Sequence, residues 1–205
     1  MAQIASTGLP LHEDNRCERA DAARNRELLL AAARKIISKG GVDALTMQAV
    51  ADAAGVGKGT VFRRFDDRAG LLHALVDDDE RAFQEELLRG APPLGPGASP
   101  SKRLAAFGVA RIDFVLRNVA VLCAAERSEC AAAEHPVRTA HRLHVHLLLR
   151  DAGHDRVTAE YLAGALLSAL DPKLILSQTD REGLDREQLH HGWKVLVTAA
   201  AGAGI

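Results

Sequence analysis

At 205 residues, 47% apolar and only 3% aromatic, the chain makes one large domain or two small ones with enough apolar surface for a sizeable core. Its net charge of −1 argues against a protein that coats nucleic acid indiscriminately, and no run approaches the ~20 uninterrupted apolar residues of a bilayer-spanning helix. The charge is unevenly spread: Arg16 to Leu72 carries 11 Lys/Arg against 7 Asp/Glu, whereas His73 to Ile205 carries 15 against 18. A basic module followed by a mildly acidic one suits a chain of which only the first part meets an anionic partner. The start, MAQIASTGLPLHEDNRC, has neither a basic n-region nor an apolar run, and three scattered cysteines fit a reducing compartment, so a cytoplasmic location is expected.

Residues 1–20 read as a flexible arm, with Gly8 and Pro10 in a polar mixture. From Asp21 the pattern turns helical, with Leu29, Ala33, Ile36 and Ile37 on one face, and Lys39-Gly40-Gly41 stops it. Thr46 predicts the N-cap of a short second helix whose buried side is Val50, Ala51 and Ala54, ended by Gly55. A third helix runs from Lys58 to about Phe65. Asp66 or Asp67 caps a fourth, with the stripe Leu72, Leu75, Val76, Phe83 and Leu87. Asp77 to Glu80 covers a full turn with acid, most of which must face water. Asp79 falls on the stripe, where it either meets a cation of the next helix or bends out to solvent. GAPPLGPGASP, Gly90 to Pro100, holds four prolines and three glycines and is a loop.

Beyond the loop, helical segments are predicted near 101–118, 120–133, 137–151, 156–170 and 185–201, separated by Pro136, Gly153, Pro172 and Gly183. No segment sustains period-two alternation, so the expected fold class is all-α, about nine helices. The domain reading is an arm over 1–20, a three-helix helix-turn-helix domain over 21–67 and a helical ligand-binding and dimerisation domain over 68–205.

The stretch VGKGTVFRRFDDRAGLL, Val56 to Leu72, raises two chemistries. A nucleotide phosphate loop needs a glycine, four residues, then Gly-Lys-Ser/Thr after a strand; here the order is Gly57-Lys58-Gly59-Thr60 and a helix precedes it. A helix-turn-helix fits better: Gly55 at the turn, Val61 and Phe65 inward four residues apart, and Lys58, Thr60, Arg63 and Arg64 outward where a major groove can receive them. Arg matches guanine bidentately, while Lys and Thr reach phosphates or base edges.

Residues from about Arg24 to Asp77, LLLAAARKIISKGGVDALTMQAVADAAGVGKGTVFRRFDDRAGLL at their centre, resemble the DNA-binding domain of TetR-type transcriptional regulators. The resemblance covers about a quarter of the chain and is carried by Gly59-Thr60-Val61-Phe62-Arg63-Arg64-Phe65 and Arg68. It implies that Thr46 holds a phosphate, that Gln48, Lys58, Gly59 and Thr60 approach bases or backbone, and that Arg63 and Arg64 line the groove. Two departures stand out. Phe62 replaces the usual tyrosine and keeps a ring but loses a hydroxyl. Arg64 replaces the next aromatic or His and supplies a cation instead, and Arg68 stands for the usual phosphate-binding lysine. Arg16, Arg19, Arg24 and Arg26 either extend the contact along the backbone or are simply solvated.

In the second half, Leu104, Phe107, Arg111, Phe114 and Asn118 share one face, and His141, His144 and Leu148 another. Together with Glu126 they are candidate lining for a small-molecule effector pocket, which the resemblance implies. The alternative is that Arg111 and the histidines are paired within the core, with Glu126 or Glu134 as partners. Cys123 and Cys130 lie two helical turns apart, ~10.5 Å, too far for a disulfide within one helix, and read as inert thiols. A thiol or metal sensor using them with His135 or His141 is the sharper reading. His141, His144 and His146 lack the i, i+4 spacing of a helical metal site, so no metal and no cofactor are expected. Leu162, Ala165, Leu166 and Ala169 on one helix, and Leu189, Trp193, Leu196 and Val197 on the last, are the stripes that the resemblance makes a dimer interface. The expected function is a DNA-binding regulator, most simply a repressor released from a palindromic operator by an effector. An effector-independent architectural protein and a thiol- or metal-responsive regulator are the alternatives. No nucleophile–base spacing signals an enzyme.

Overall fold

A computed structural model describes residues 14–126 and 136–202 of the chain. Among the described residues every regular element is helical: α1 (Asp14–Gly40), a 3-10 turn (Val42–Ala44), α2 (Met47–Ala54), α3 (Lys58–Phe65), α4 (Arg68–Arg89), α5 (Pro100–Glu126), α6 (Pro136–Asp151), α7 (Arg156–Ala169), α8 (Pro172–Asp180) and α9 (Arg186–Gly202). The chain divides into two compact units, Met1–Leu75 and Val76–Ile205, and α4 contributes residues to both.

The first unit buries Leu29, Leu30 and Ala33 of α1 against Val50 and Ala51 of α2, Val61 and Phe65 of α3, and Leu71 and Leu72 of α4. Its short helices are held by their ends rather than by length. The Thr46 hydroxyl accepts the Ala49 N–H at 3.0 Å, and Gly55 closes α2 in the left-handed region at φ 67°, where a Cβ would be strained. Asp66 takes φ 61° at the end of α3, a conformation that Asp tolerates better than most side chains, and Asp67 caps α4 by accepting the Gly70 N–H at 2.8 Å.

The second unit packs α5 against α9 and α6 against α7 around Phe83, Phe107, Val115, Leu149, Ala163, Ile175 and Trp193. The Trp193 indole N–H is shared between the Leu104 and Ala105 carbonyls at 3.2 and 3.0 Å. Gly108 makes this possible, because a Cβ there would overlap Cε2, Nε1 and Cδ2 of the indole. Gly108→Ala is therefore expected to cost about 1–3 kcal/mol or more in urea unfolding of this unit, although alanine favours a helix in every exposed setting. A neutral substitution would show that α5 and α9 part without cost.

Three boundaries differ from the sequence reading. α1 starts at Asp14 and not at Asp21, within what was expected as an arm. The segments 101–118 and 120–133 are one helix through Glu126, because nothing between them is Pro or Gly. α8 was not expected: Pro172 read as a separator is its N1 residue, behind an Asp171 whose carboxylate accepts the Lys173 N–H at 2.9 Å.

Candidate nucleic-acid interface and effector site

On α3, Lys58, Gly59, Phe62, Arg63 and Arg64 are exposed and Thr60 is half-buried, while Val61 and Phe65 are buried beneath them. The Lys58 ammonium stands 5.6 Å from the Phe62 ring centroid, so the aromatic ring that replaced tyrosine carries a cation on its face. Nothing lies within 4 Å of the place a Cβ on Gly59 would take, which leaves bare backbone on the outer surface. Arg64 donates to the Ala22 carbonyl of α1 at 3.3 Å, and a cleft of about 200 Å3 lies between these helices, lined by Ala22, Asn25, Arg26, Leu29, Thr60, Arg63 and Arg64. Asn25 was missed in the sequence, although it sits four residues before the buried Leu29. Thr46 and Gln48 are exposed at the start of α2. Thr46 spends a lone pair on its cap and keeps its O–H proton to donate, and Gln48 donates to Asp52 at 2.8 Å. Arg68 is placed differently from the others: its guanidinium donates to the Leu45 and Val42 carbonyls at 2.9 and 2.8 Å, tying α4 to the turn before α2.

In the second unit Phe107, Phe114 and Leu148 are buried, with the Phe83 ring 5.9 and 6.0 Å from Phe107 and Phe114, and His141 edge-on to Phe83 and Phe107. Asn118 donates to its own helix at the Phe114 carbonyl, 3.1 Å away. The Arg111 guanidinium, 4.6 Å from the Phe114 ring, donates to Glu80 Oε2 at 2.7 Å. The Nε2 atom of His141 lies 2.7 Å from the other oxygen, Oε1. Glu80 and His141 are only 3% and 4% exposed. Burial pushes the Glu80 carboxyl up, but His141 and Arg111 outweigh it and hold the group below the ordinary carboxylate value; burial pushes Arg111 down, partly offset by Glu80.

Asp79 is half-buried, while Glu80, in the same acidic run, reaches inward at 3% exposure. It lies four residues after Val76 and three before Phe83, a spacing that places it squarely on the apolar stripe. The cavity beside this network is small, about 60 Å3, and lined by Arg111, Arg138, His141, Leu167, Leu170, Asp171 and Pro172. A larger apolar groove of about 450 Å3 runs along α7, α8 and α9 over Leu170, Ile175 and Trp193, with Gln178, Gln188 and His191 as its polar points. The Glu126, Cys123, Cys130, Glu134 and His135 side chains lie outside the described residues, and so do those of Arg16 and Arg19. Among the described residues no three His, Cys, Asp or Glu side chains converge as metal ligands, and no helix is long and apolar enough to cross a membrane.

His144 is half-buried against Phe107, and its Nε2 has no partner. Burial, then the charges of Arg103 and His141, lower its pKa from 6.5 to about 4. The unfolded chain binds a proton here that the folded chain refuses, so stability is full above pH 6.5 and falls as the pH drops toward 4. The whole shift corresponds to roughly 3 kcal/mol, which water access to a half-buried ring reduces to about 1–2. His144→Leu is expected to remove that part of the acid slope in denaturation measured at pH 7 and 4.5; an unchanged slope would place the sensitive group elsewhere.

Residues 29–75, which hold α2, α3 and their supporting turns, match the bacterial regulatory proteins of the tetR family. Over that segment the chain is similar to the tetR family. The HTH-type transcriptional repressor KstR of Rhodococcus jostii is 37% identical over 94 residues, 46% of this chain and 42% of its own length. The chain thus spans less than half the length of the curated relatives it matches. A TetR transcriptional regulator from Legionella pneumophila superimposes with a TM-score of 0.61 at 16% identity, covering 85% of this chain and 95% of the other. SmeT, solved as a complex with triclosan, gives 0.59 at 19% identity over 86% and 91%. At these identities the likeness is one of fold.

The eight residues expected at a tetR-type dimer interface fall on two different sides of their helices. Leu166, Leu189, Trp193 and Val197 are buried within this unit's own core. Ala165 and Leu196 are exposed, and Leu162 and Ala169 are half-buried. The exposed face of α7 instead runs through Val157, Tyr161, Ala165 and Ser168, and that of α9 through Gly192, Val195, Leu196 and Ala199. Tyr161, 78% exposed, and Val195, 54% exposed, lie outside the expected stripes. A broad stripe on a helix with two apolar faces does not say which face is inside.

Proposed function

We propose that this chain is a tetR-type, sequence-specific DNA-binding transcriptional regulator, a cytoplasmic homodimeric repressor released from its operator by a small molecule, and not an enzyme. The observation that carries the reading is the outer face of α3. Lys58, Gly59, Phe62, Arg63 and Arg64 are presented together on a helix pinned by Val61 and Phe65, with open space over Gly59. A helix so pinned can enter a major groove with its N-terminal residues against base edges. Thr46 and Gln48, exposed at the start of α2, are assigned to flanking phosphates, and Arg68 to positioning, since its donors hold the turn before α2. KstR is a repressor and SmeT is solved with a bound small molecule; both support the corresponding roles here.

Dimerisation is assigned to the faces of α7 and α9 that carry Tyr161, Ala165, Val195 and Leu196, where small Gly164, Gly192 and Ala199 permit close approach. Two reading heads related by a two-fold axis require a roughly palindromic duplex. Selection from a random duplex pool with the purified chain should enrich two inverted half-sites at a fixed spacing; enrichment of none, with binding that only tracks salt, would leave an architectural protein instead. Gly59→Ala gives a sharper check. It should raise thermal stability by about 0.5–1 kcal/mol, as alanine does in a helix, and at the same time weaken binding to the selected duplex. A variant that is more stable and binds equally well would show that the backbone at Gly59 does not approach DNA.

A further inference from the structure

The buried Glu80–Arg111–His141 network occupies the place where an effector-binding site was expected, and it reads as a site already filled by the protein's own carboxylate. We propose that the effector is a small monocarboxylate whose carboxyl group displaces Glu80 from Arg111 and His141. This rests on the reading of the chain as an effector-responsive regulator and names the ligand class of that site.

Four observations carry it. Glu80 Oε1 and His141 Nε2 are almost wholly buried and face each other at 2.7 Å, so an anion in the place of Glu80 meets both a guanidinium and an imidazole. The adjoining cavity of about 60 Å3 has Arg111 and His141 in its wall and the exposed Arg138 at its rim. That volume, enlarged when Glu80 leaves, takes a carboxyl head with a short substituent and not a drug-sized body. Leu167, Leu170 and Pro172 line the remainder, so a short apolar substituent completes the ligand. The charges also close. Asp171 faces the same cavity, but its oxygens already serve the Lys173 N–H at 2.9 Å and Arg138 at 4.0 Å. An added anion would leave the site short of cations, whereas one that replaces Glu80 leaves the balance as it was. Glu80, deprived of its cations, is not stable at 3% exposure and must move to water, and α4 must turn to let it. Arg68 on the same helix holds the carbonyls of Val42 and Leu45 before α2. The displaced carboxylate thus sits on the helix that also secures that turn, so ligand binding biases two states of one element.

The test is calorimetric titration of the whole chain with propionate and isobutyrate against propionamide and isobutyramide, at fixed ionic strength. The carboxylates should bind about tenfold or more tightly than the amides, because a charged acceptor is worth that much more to Arg111. They should also release the selected duplex, and the amides should not. Arg138→Ala, a change at an exposed rim, should weaken the carboxylates several-fold, and Glu80→Gln, which removes the internal competitor, should tighten them about tenfold. If Glu80→Gln does not fold, the wild-type acid–amide pairs and Arg138→Ala still decide. Amides that bind as well as acids, or acids indifferent to Arg138→Ala, overturn the proposal. A chain that binds no selected duplex refutes the regulator reading instead, while the acid–amide ratio continues to judge the site.

Discussion

Replacing Arg63 and Arg64 together by alanine is expected to weaken binding to the selected duplex by about 2–6 kcal/mol, thirty-fold at the least, with no change in fold. The magnitude follows from two arginines each worth about 1–3 kcal/mol when paired with a base or phosphate. The unchanged fold follows from position, since both side chains are exposed and the core beneath α3 is Val61 and Phe65. The single variants should differ. Arg64 is hydrogen-bonded to the Ala22 carbonyl in the free protein, at the edge of α3 nearest α1, which suits a backbone phosphate. Arg64→Ala should lower affinity for all sequences alike and reduce the salt slope by about one ion. Arg63, exposed and with a long 3.5 Å approach to Thr60, is assigned to a base edge, and Arg63→Ala should relax preference at one base pair of each half-site. Anisotropy titrations with matched and mismatched duplexes at two salt concentrations separate these results. Equal affinity in the double variant would remove α3 as the reading helix.

Arg111→Met should destabilise the second unit by about 3–5 kcal/mol, because it strands a carboxylate that is 3% exposed. Adding Glu80→Leu to Arg111→Met should restore most of that loss, since an apolar pair of similar volume is often neutral or better than a buried ion pair. The coupling energy from the double-mutant cycle is then large and favourable, whereas two independent surface charges would add within about 0.3–0.5 kcal/mol. A cost below about 1 kcal/mol for Arg111→Met would mean that Glu80 reaches water without help. The clasp of Arg186 and His190 on Asp113, at 2.6–2.8 Å with Arg186 largely exposed, offers the internal contrast. Arg186 depresses the Asp113 carboxyl most, yet a pair open to solvent contributes little when broken.

The first unit was largely legible because its signals are local. Thr46, Gly55, Val61 and Phe65 each constrain a turn or a face within a few residues, and the cations between them could only point outward. The second unit depended on long-range choices that a linear pattern does not contain. Glu80 was hidden inside an acidic run whose other members suggested solvent, although its register matched Val76 and Phe83. Its partners, Arg111 and His141, lie 31 and 61 residues away, so the cation stripe was visible and the anion that meets it was not. Trp193 and Val197 belonged to a true apolar stripe, but a stripe fits a neighbouring helix and a second protomer equally well. Here Gly108 admits the indole and settles its face as interior. Pro172 shows the same limit at small scale: proline both ends helices and begins them, and only Asp171 before it distinguishes the two.

Trp193 is the chain's single tryptophan, and it is 3% exposed with its N–H held by two α5 carbonyls. The protein therefore carries one tryptophan that can be excited selectively over its single tyrosine, and it lies in the second unit. Emission near the blue end of the tryptophan range should report the packing of α5 on α9 and stay silent while the first unit melts. Paired with far-ultraviolet circular dichroism, which sees both, it turns one native side chain into a readout that tells the two units apart without a label.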